Sequence, residues 1–517
     1  MTSPRPLANI ALGELLADLN VSHSSLPAEL TSLRVGGLQL DSRNLEPGDL
    51  FMAYPGLHSD GRHYLAQAKQ AGAVVALVES EGFNTSDETP LPVIAIENLA
   101  GKASALAGRF YADPSANLPV IAITGTNGKT TCTQLLAQLF ALLGKPAGVI
   151  GTLGYGLLSA DEVSTTSNLT DTGLTTPDAV SVQRILARLL DAGAEVVAME
   201  VSSHSLDQCR VEDVYFSTAV FTNLSQDHLD YHETMAAYQQ AKARLFKAPG
   251  LQTAIVNRDD AAGRAIIGEL AAYSELSCYS YSLSQKEADI FATAAVFGSQ
   301  GVRAQLTSPW GQGELRSHLQ GDFNLSNLLA VIGVACAEGH ALVDVLAAVA
   351  QLKPVPGRLE VVDAQALPVV VVDYAHTADA LEKALRALRP ACKGRLWCVF
   401  GCGGDRDQGK RAVMGSIAAA LADQLVVTSD NPRSEDEQAI INAVLEGVPG
   451  DASKVDTLRV LVDRRDAIRF AVSNAAEQDL VLIAGKGHED YQLIKEQRLP
   501  FNDVAEARVA LRERGEA

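Results

Sequence analysis

Residues 120–131 are Val120-Ile121-Ala122-Ile123-Thr124-Gly125-Thr126-Asn127-Gly128-Lys129-Thr130-Thr131, an apolar run followed by a glycine-rich turn. The run at 120–123 predicts a buried strand, and apolar side chains recur at helical spacing after the turn, between residues 132 and 143. Glycines let the backbone N–H groups of such a turn point at an anion, and the following helix adds its positive end. The stretch therefore predicts a strand, a phosphate-binding loop and a helix, the core of an α/β domain.

Two side chains indicate that the ligand is a nucleoside triphosphate. Lys129 can reach the β and γ phosphates, and the Thr130 hydroxyl can ligate Mg²⁺. The usual pattern GxxxxGK(S/T) would place its first glycine at Ile123, so this loop is a shorter variant. The alternative is a glycine-rich turn without a ligand. We predict that the loop binds ATP through Gly125, Thr126, Asn127, Gly128, Lys129, Thr130 and Thr131.

A second motif bears on the choice of base. Asn257-Arg258-Asp259-Asp260 resembles the NKxD sequence with which GTPases bind guanine. Its lysine is replaced by arginine, and the motif runs directly into a helical pattern. We interpret it as a turn and a helix cap, which leaves adenine as the expected base.

The composition is that of a globular protein of several domains. The chain has 517 residues, of which 47% are hydrophobic and 20% charged. A net charge of −20 argues against a nucleic-acid partner, because neutralising phosphates needs a basic face. Seven cysteines without a CxxC pair disfavour a disulfide framework or zinc site. Glu14 and Asp18 interrupt the apolar N-terminal stretch, so we expect an amphipathic helix, no membrane segment and a cytoplasmic protein.

Two junctions rich in proline divide the chain, one at residues 113–119 and one at 354–357. We expect domains at 1–118, 119–354 and 355–517. In the second and third segments, apolar runs alternate with helical patterns, which favours parallel sheets. The predicted strands are 120–123, 196–199, 219–221, 254–256, 369–372, 396–400, 425–427 and 480–483.

Polar motifs follow the strands of the last segment. They are Asp373-Tyr374-Ala375-His376, Gly403-Gly404-Asp405-Arg406-Asp407, Asp430-Asn431-Pro432-Arg433 and Gly485-Lys486-Gly487-His488-Glu489. Ligands of open α/β sheets bind at the carboxyl ends of the strands. The four motifs therefore predict one shared crevice.

Three residues of the middle segment are candidates for binding metal or phosphate near the γ-phosphate. Glu200 ends an apolar run, and a carboxylate there could hold Mg²⁺. His228 lies in Asn223-Leu224-Ser225-Gln226-Asp227-His228-Leu229-Asp230-Tyr231-His232, where Asp227 could instead cap a helix. Lys242 lies in a helical stretch from 236 to 246, where position alone favours a solvated lysine.

The motifs GTNGKTT, EVSSH, NLSQDHLDYH and DNPR together resemble those of the Mur ligase family, as do Leu40-Asp41-Ser42-Arg43 and Pro47-Gly48-Asp49-Leu50-Phe51. The resemblance runs over nearly the whole chain. It implies an α/β protein of three domains: a smaller N-terminal UDP-binding domain, a central P-loop ATPase with a mostly parallel sheet, and a C-terminal Rossmann-like domain. It also implies an ATP-dependent ligase of peptidoglycan synthesis that works through an acyl phosphate, with Mg²⁺ as cofactor.

Site residues follow from the resemblance, position by position. Catalytic roles are implied for Lys129, His228 and Lys242, and magnesium sites for Thr130, Glu200, His228 and Lys242, the last as a carbamylated lysine. Asn327, Arg358 and Asp373 resemble residues on the adenosine side. The residues that match contacts to UDP-N-acetylmuramoyl-L-alanyl-D-glutamate are Leu40, Ser42, the loop from His58 to Gly61, Asn127, Thr175, Thr176, Ser202, Gln208 and Arg210. Ser42 could instead serve a turn, Ser202 a helix cap, and Gln208 the surface.

The motif at 430–433 bears on the amino acid that is added. Family members with DNPR resemble those that add meso-diaminopimelate, and a guanidinium such as that of Arg433 forms a bidentate pair with a carboxylate. Asp430 and Glu489 could take the distal ammonium. The full set of matches is Arg406, Asp430, Asn431, Pro432, Arg433, Gly485 and Glu489. The alternative is an internal salt bridge for Arg433.

Two other classes of function stay open on the sequence. One is a lysine-adding or folylpolyglutamate-type ligase, although the folate enzymes should lack the DSR and DNPR elements. The other is a nucleotide-dependent switch without ligation, which the motifs of the last segment disfavour. We expect a monomer that binds ATP, the UDP-linked dipeptide and diaminopimelate.

Overall fold

The computed structural model describes residues 9–17, 27–57, 59–84, 88–159, 169–298, 301–363, 366–449 and 457–516. Its largest sheets have four, ten and six strands and follow one another along the chain. Within these ranges, no helix combines the length and the apolar character needed to cross a membrane.

The N-terminal region is built around the four-stranded sheet. Its elements are β1 (Ile10–Ala11), α1 (Leu12–Leu15), α2 (Ala28–Thr31), β2 (Arg34–Val35), β3 (Leu38–Gln39), β4 (Leu50–Ala53), α3 (Leu65–Ala71), β5 (Val75–Glu79), β6 (Val93–Ile96) and α4 (Leu99–Phe110). Strands β3 to β6 pair in sequence order and are parallel. The predicted amphipathic helix is only the four-residue α1, because the chain before it forms β1; Asp18 lies outside the described residues.

The central region contains the ten-stranded sheet and the helices on its two faces. Its elements are β7 (Val120–Thr124), α5 (Lys129–Leu142), β8 (Ala147–Gly151), β9 (Gly154–Leu158), α6 (Ala179–Asp191), β10 (Val196–Glu200), α7 (Ser203–Asp207), β11 (Phe216–Phe221), α8 (Leu229–His232), α9 (Met235–Ala243), β12 (Thr253–Asn257), α10 (Ala261–Leu270), β13 (Ser277–Ser282), β14 (Ile290–Gly298), β15 (Gly301–Ser308), β16 (Gly311–Ser317), α11 (Asp322–Ala337) and α12 (Leu342–Val349).

The strand order of this sheet is β16-β15-β14-β13-β12-β11-β7-β10-β8-β9, and the pairs from β8 to β14 are parallel. The parallel part is apolar on both faces, since α5 and α11 cover one face and α6 and α10 the other. Strand β7 lies between β10 and β11. Register places Glu200 opposite Ile123 and Phe221 opposite Thr124, so three strands end together around the glycine-rich loop.

The C-terminal region contains the six-stranded sheet. Its elements are β17 (Glu360–Val361), β18 (Val369–Asp373), α13 (Ala378–Leu388), β19 (Leu396–Phe400), α14 (Gly409–Leu421), β20 (Gln424–Val427), α15 (Glu437–Leu445), β21 (Thr457–Val460), α16 (Arg464–Asn474), β22 (Leu480–Ala484), β23 (Tyr491–Ile494), β24 (Gln497–Pro500) and α17 (Asp503–Glu516). The order is β17-β18-β22-β19-β20-β21, and the strands from β18 to β21 are parallel. The motifs that follow β18, β22, β19 and β20 therefore lie along one edge of the sheet.

Candidate active site

The glycine-rich loop lies between β7 and α5. Gly125 has φ of +145° and Gly128 has φ of +88°, which side chains rarely adopt. A Cβ on Gly125 would lie 1.9 Å from the hydroxyl oxygen of Thr222. Lys129 folds back over the loop, where its Nζ donates to the carbonyls of Gly125 at 3.0 Å and Thr126 at 2.9 Å. An ammonium is therefore present where the predicted phosphates would bind.

Glu200 ends β10 beside this loop and is buried. Its carboxylate accepts hydrogen bonds from Thr130 Oγ1 at 3.0 Å and from Thr152 N at 2.8 Å. Thr130 Oγ1 also accepts from Arg358 Nη2 at 3.1 Å. Two oxygen groups of the kind that Mg²⁺ prefers thus lie together. Among the described residues, no group of three or more His, Cys, Asp and Glu side chains could hold a metal ion.

Lys242 lies on the buried face of helix α9. The residue is 1% exposed, and its Nζ donates to Gly125 O at 2.8 Å. The ring centroid of Tyr238 lies 4.5 Å from Nζ. Burial, and then repulsion from Lys129, holds the pKa of Lys242 well below its usual range. The expectation of a solvated lysine, taken from helical position alone, is wrong, because this face of α9 packs against the loop.

A buried carboxylate, Asp227, lies between the central and C-terminal regions. Its Oδ2 is 3.4 Å from His228 Nε2 and 3.8 Å from His376 Nε2, and its Oδ1 is 3.8 Å from Lys410 Nζ. Burial lowers the pKa of His228 to about 3, which keeps its imidazole neutral. Of these residues, only His228 was among the predicted metal and catalytic residues; Asp227 was considered as a helix cap, and His376 belongs to a quoted motif. Lys410 carries no motif signal, and its distance of 183 positions from Asp227 hides the contact.

A cavity of about 220 Å³ opens beside the loop, between the central and C-terminal regions. Its lining includes six of the residues predicted to bind ATP: Asn127, Gly128, Thr131, Asn327, Arg358 and Asp373. The guanidinium of Arg358 lies 4.4 Å from the ring centroid of Tyr374, and Asp373 accepts from the backbone N–H of Leu359 at 2.7 Å. Phe323, Tyr374 and Lys383 also line the cavity and were not predicted as contacts.

The motif at 257–260 forms one wall of this cavity. Asp260 caps α10 by accepting from the N–H groups of Ala262 and Gly263, which confirms the predicted cap. The carboxylate of Asp259 accepts from Ser282 Oγ at 2.5 Å and from Leu283 N at 2.7 Å. Because both carboxylate oxygens of Asp259 already accept hydrogen bonds, this motif does not present the free carboxylate that guanine recognition needs.

Apart from Asn127, which lies on the phosphate loop, the residues predicted to contact the UDP-linked dipeptide form two groups. Leu40 and Ser42 line a cavity of about 470 Å³ in the N-terminal region, and Ser42 Oγ donates to Gln67 Oε1 at 3.1 Å. His58 lies outside the described residues. Tyr54, from the same cavity, has a pKa raised to about 12 by burial, and the positive charge of Arg210 opposes the shift.

The second group is a hydrogen-bonded cluster in the central region. Arg210 Nη1 donates to Thr176 O at 2.8 Å, and its Nε and Nη2 donate to Gln208 Oε1 at 3.0 and 2.6 Å. Ser202 caps α7 by accepting from Ser205 N, so the cap interpretation of this serine is confirmed. Thr175 Oγ1 accepts from Thr152 Oγ1, which also bonds to Glu200. The cluster is thus joined to the carboxylate beside the phosphate loop.

Polar motifs of the C-terminal region that follow different strands contact one another. A Cβ on Gly485 would lie 2.5 Å from Asp430 Oδ2, and Asn431 Nδ2 donates to Glu489 Oε2 at 2.8 Å. Arg433 Nη1 donates to Gly404 O at 2.8 Å. Pro432 lies between these residues in the same turn and is buried.

The Arg433 guanidinium is a partly buried cation without a carboxylate partner. Burial and then the nearby charge of Arg406 lower the pKa of Arg433. Gly403 separates the two arginines, with Arg433 Nη1 and Arg406 Cγ 2.8 and 3.9 Å from its ideal Cβ position. Within the described ranges Arg433 forms no ion pair, so the predicted alternative of a salt bridge is not seen. A partly buried guanidinium with a second positive charge nearby favours an anionic ligand.

The chain shares extensive sequence with known proteins. Residues 34–111 match the Mur ligase family catalytic domain, 123–335 the Mur ligase middle domain, and 357–487 the Mur ligase glutamate ligase domain. UDP-N-acetylmuramoyl-L-alanyl-D-glutamate–2,6-diaminopimelate ligase of Coxiella burnetii is 47% identical over 497 residues, or 95% of this chain and 98% of that protein. The Pseudomonas aeruginosa protein of the same name is 48% identical over 485 residues, or 94% and 96%.

Solved structures agree with these matches. A structure of a ligase of the same name is 34% identical, with a TM-score of 0.68, and covers 99% of this chain and 100% of that one. MurF ligase of Thermotoga maritima in complex with ADP shares the fold at 16% identity, with a TM-score of 0.61 and coverage of 93% and 98%. From the length and identity of these matches, the chain belongs to the Mur ligase family.

Proposed function

We propose that this protein is an ATP-dependent ligase that joins meso-2,6-diaminopimelate to UDP-N-acetylmuramoyl-L-alanyl-D-glutamate during peptidoglycan precursor synthesis. The relatives of highest identity named above carry the name of this reaction. The observation that carries the proposal is Arg433, a partly buried guanidinium that forms no ion pair among the described residues, in a turn that Asn431 joins to Glu489, in a chain that also has a phosphate loop. The protein acts as a cytoplasmic monomer with domains at 1–118, 119–354 and 355–517.

ATP binds with its phosphates on the loop and its adenosine in the 220 Å³ cavity. The loop residues Gly125 to Thr131 surround the phosphates, and Asn327, Arg358 and Asp373 contact the nucleoside. Phosphoryl transfer depends mainly on positioning and on neutralising charge. Lys129, already held over the loop, supplies one positive charge at the γ-phosphate.

The dipeptide substrate lies across the N-terminal cavity and the Arg210 cluster. Leu40, Ser42 and the loop at His58 hold the UDP-sugar, and Asn127, Thr175, Thr176, Ser202, Gln208 and Arg210 hold the peptide portion. The γ-carboxylate of its D-glutamate attacks the γ-phosphorus of ATP, the bond to the β-phosphate oxygen breaks, and ADP leaves. The product of this step is an acyl phosphate.

The residues beside the loop fit a Mg²⁺ site. Glu200 and Thr130 offer oxygen atoms 3.0 Å apart, and Mg²⁺ in such sites takes few protein ligands and keeps water and phosphate for the rest. His228 would complete one site with its neutral imidazole, and Lys242 would hold a second ion once it carries a carbamate. When bound, Mg²⁺ would neutralise charge on the two anionic reactants.

The environment of Lys242 suits a carbamate. Because its pKa is held low, the side chain is available as a neutral amine. That amine attacks the carbon of CO₂, a proton leaves the nitrogen, and the product is an anion. A buried neutral amine beside Lys129 thereby becomes a carbamate anion that attracts cations.

Diaminopimelate binds in the C-terminal crevice. Arg433, with Arg406 and the turn at Asn431 and Pro432, holds its distal carboxylate, since a guanidinium pairs with both oxygens of a carboxylate. Asp430, Glu489 and the backbone at Gly485 hold the distal ammonium. The reacting amine attacks the acyl carbon, and phosphate leaves from the tetrahedral intermediate, which completes the amide bond.

A test is ADP release from the purified protein with each substrate omitted in turn. A ligase of this type releases ADP at full rate only when ATP, the UDP-linked dipeptide and diaminopimelate are all present. A nucleotide switch would hydrolyse ATP with neither of the other two, and that result would overturn the proposal.

A further inference from the structure

Lys486 is the most deeply buried cation of the amino-acid crevice. It follows β22 and has 0% side-chain exposure, while the side chain of Glu489 is 15% exposed. Burying an ammonium is unfavourable unless its charge is matched and its protons are hydrogen-bonded. Lys486 cannot touch a bound amino acid directly, so any influence on the substrate passes through its neighbours.

Those neighbours are two residues of the proposed diaminopimelate site. Lys486 Nζ donates to Asn431 Oδ1 at 3.0 Å and to Glu489 Oε2 at 2.8 Å. The ring centroid of Tyr491 lies 5.5 Å from Nζ and completes its surroundings. One ammonium thus joins the turn after β20 to the turn after β22.

The bonds of Lys486 fix the direction of the Asn431 amide. Asn431 Oδ1 accepts a second hydrogen bond from Leu493 N at 2.9 Å, so two donors converge on that oxygen. The amide nitrogen must then face Glu489, to which it donates at 2.8 Å. Reversing the amide would set its NH₂ group against the Lys486 ammonium and the Leu493 N–H.

The same bonds leave one side of Glu489 open. Oε2 accepts from both Lys486 and Asn431, whereas Oε1 accepts no hydrogen bond from the described residues. The carboxylate can therefore offer Oε1 to a ligand while Oε2 stays held. Its negative charge is also partly matched before any substrate arrives, which lowers the cost of keeping it in a mostly buried place.

We propose that Lys486 is a positioning residue for the amino-acid substrate: its bonds hold Glu489 so that Oε1 faces the substrate's ammonium, with the Asn431 amide fixed as a donor to Oε2. This inference rests on the proposed function and adds a residue to that site. Without Lys486, Glu489 is free to rotate and the amide of Asn431 loses one of the two donors that fix it. Binding of the amino acid then weakens, whereas ATP and the dipeptide, held by other domains, bind as before.

The test compares Lys486→Met, Lys486→Arg, Glu489→Gln and the double variant Lys486→Met/Glu489→Gln with the wild-type full-length protein. Lys393→Met, an exposed lysine of the same region, is the matched control. We expect Lys486→Met to raise KM for diaminopimelate roughly tenfold or more and to change kcat and the KM of ATP by less than about threefold. Lys486→Arg keeps the charge and should give an intermediate KM.

The double variant separates positioning from a general loss of structure. If Lys486 acts through Glu489, adding Lys486→Met to Glu489→Gln changes KM for diaminopimelate by less than about twofold. The inference would be overturned if the double variant raised KM by the product of the two single-variant effects. It would also be overturned if Lys486→Met and Lys486→Arg had wild-type KM values. The proposed function fails if the wild-type protein does not use diaminopimelate. The positioning role fails if the wild-type protein does use it and the Lys486 variants behave in the same way.

Discussion

The amine of Lys242 lies inside the central region, 2.8 Å from a carbonyl of a loop more than a hundred residues away in sequence. Helical periodicity could not predict this burial, because it depends on how α9 docks against the glycine-rich loop. The role of Arg433 was predicted from the resemblance of its DNPR motif and stays a prediction. Lys486 was not predicted as a site residue, because nothing in its motif indicates that it is buried.

Replacing Lys242 tests the proposed carbamate. We expect Lys242→Ala to lose ligation by roughly 10³-fold or more, and added bicarbonate should not restore it, because no amine remains to react. The assay is product formation at saturating substrates. Lys247→Ala, at an exposed lysine five positions later, should retain wild-type activity. A fully active Lys242→Ala variant would rule out the carbamate.

Replacing Arg433 tests recognition of the distal carboxylate. Arg433→Ala should lower kcat/KM for diaminopimelate by about 10²-fold, equivalent to about 2.7 kcal/mol, and leave the KM of ATP nearly unchanged. Arg386→Ala, at an exposed arginine on α13 that pairs with Glu382, serves as the control. Undiminished use of diaminopimelate by Arg433→Ala would contradict the assignment.

Apolar runs predicted many of the buried parallel strands, although the fully buried β4 and β8 were missed. All eight predicted strands are present, each within a residue or a few of its bounds. The strands β14 to β16 were not predicted, because they form an antiparallel edge on which polar and apolar residues alternate, as at Arg303 and Gln305. Short alternating strands of this kind give a weak sequence signal.

The glycine-rich loop has no room for a side chain at Gly125. Gly125→Ala sets a methyl group against Thr222 at a φ that alanine avoids, so we expect at least a tenfold loss of ATP affinity by calorimetry. Gly268→Ala, at an uncrowded position in α10, should instead leave ATP binding intact and raise stability by up to about 1 kcal/mol. Normal ATP binding by Gly125→Ala would disprove the close approach of these strands.

The histidines around α7 and α8 make stability depend on pH. The ring of His204 lies 4.8 Å from that of His228, and burial lowers the pKa of His204 to about 4 from an ordinary 6.5. Below pH 6.5 the unfolded state binds a proton at His204 before the folded state does. The stability that is fully present above pH 6.5 is therefore lost as pH falls toward 4. Urea midpoints should therefore fall over this range.

The variant His204→Gln should reduce this pH dependence by about one proton, because glutamine does not titrate. Urea unfolding at several pH values between 7 and 4 measures the slope for both proteins. His63→Gln, at an exposed histidine, should keep the wild-type slope. An unchanged slope in His204→Gln would show that His204 is not held neutral.

At the scale of the whole molecule, the active site is assembled from residues of separate domains. Asn127 Nδ2 donates to Asp379 Oδ2 at 2.9 Å, and Gln226 Nε2 donates to Asp407 Oδ2 at 3.1 Å. With the approach of His376 and Lys410 to Asp227, these contacts set the amino-acid crevice against the phosphate loop. No pattern in the sequence predicts such pairs, since they depend on how complete domains dock.

These domains together join diaminopimelate to the UDP-linked dipeptide. The most direct measurement is ligation by the purified protein with meso-diaminopimelate or L-lysine as the only amino acid, with the product identified by mass. We expect rapid formation of the diaminopimelate product and at least a 10²-fold lower kcat/KM for lysine, which lacks the carboxylate that Arg433 would bind. Equal use of lysine, or no product from diaminopimelate, would contradict this account.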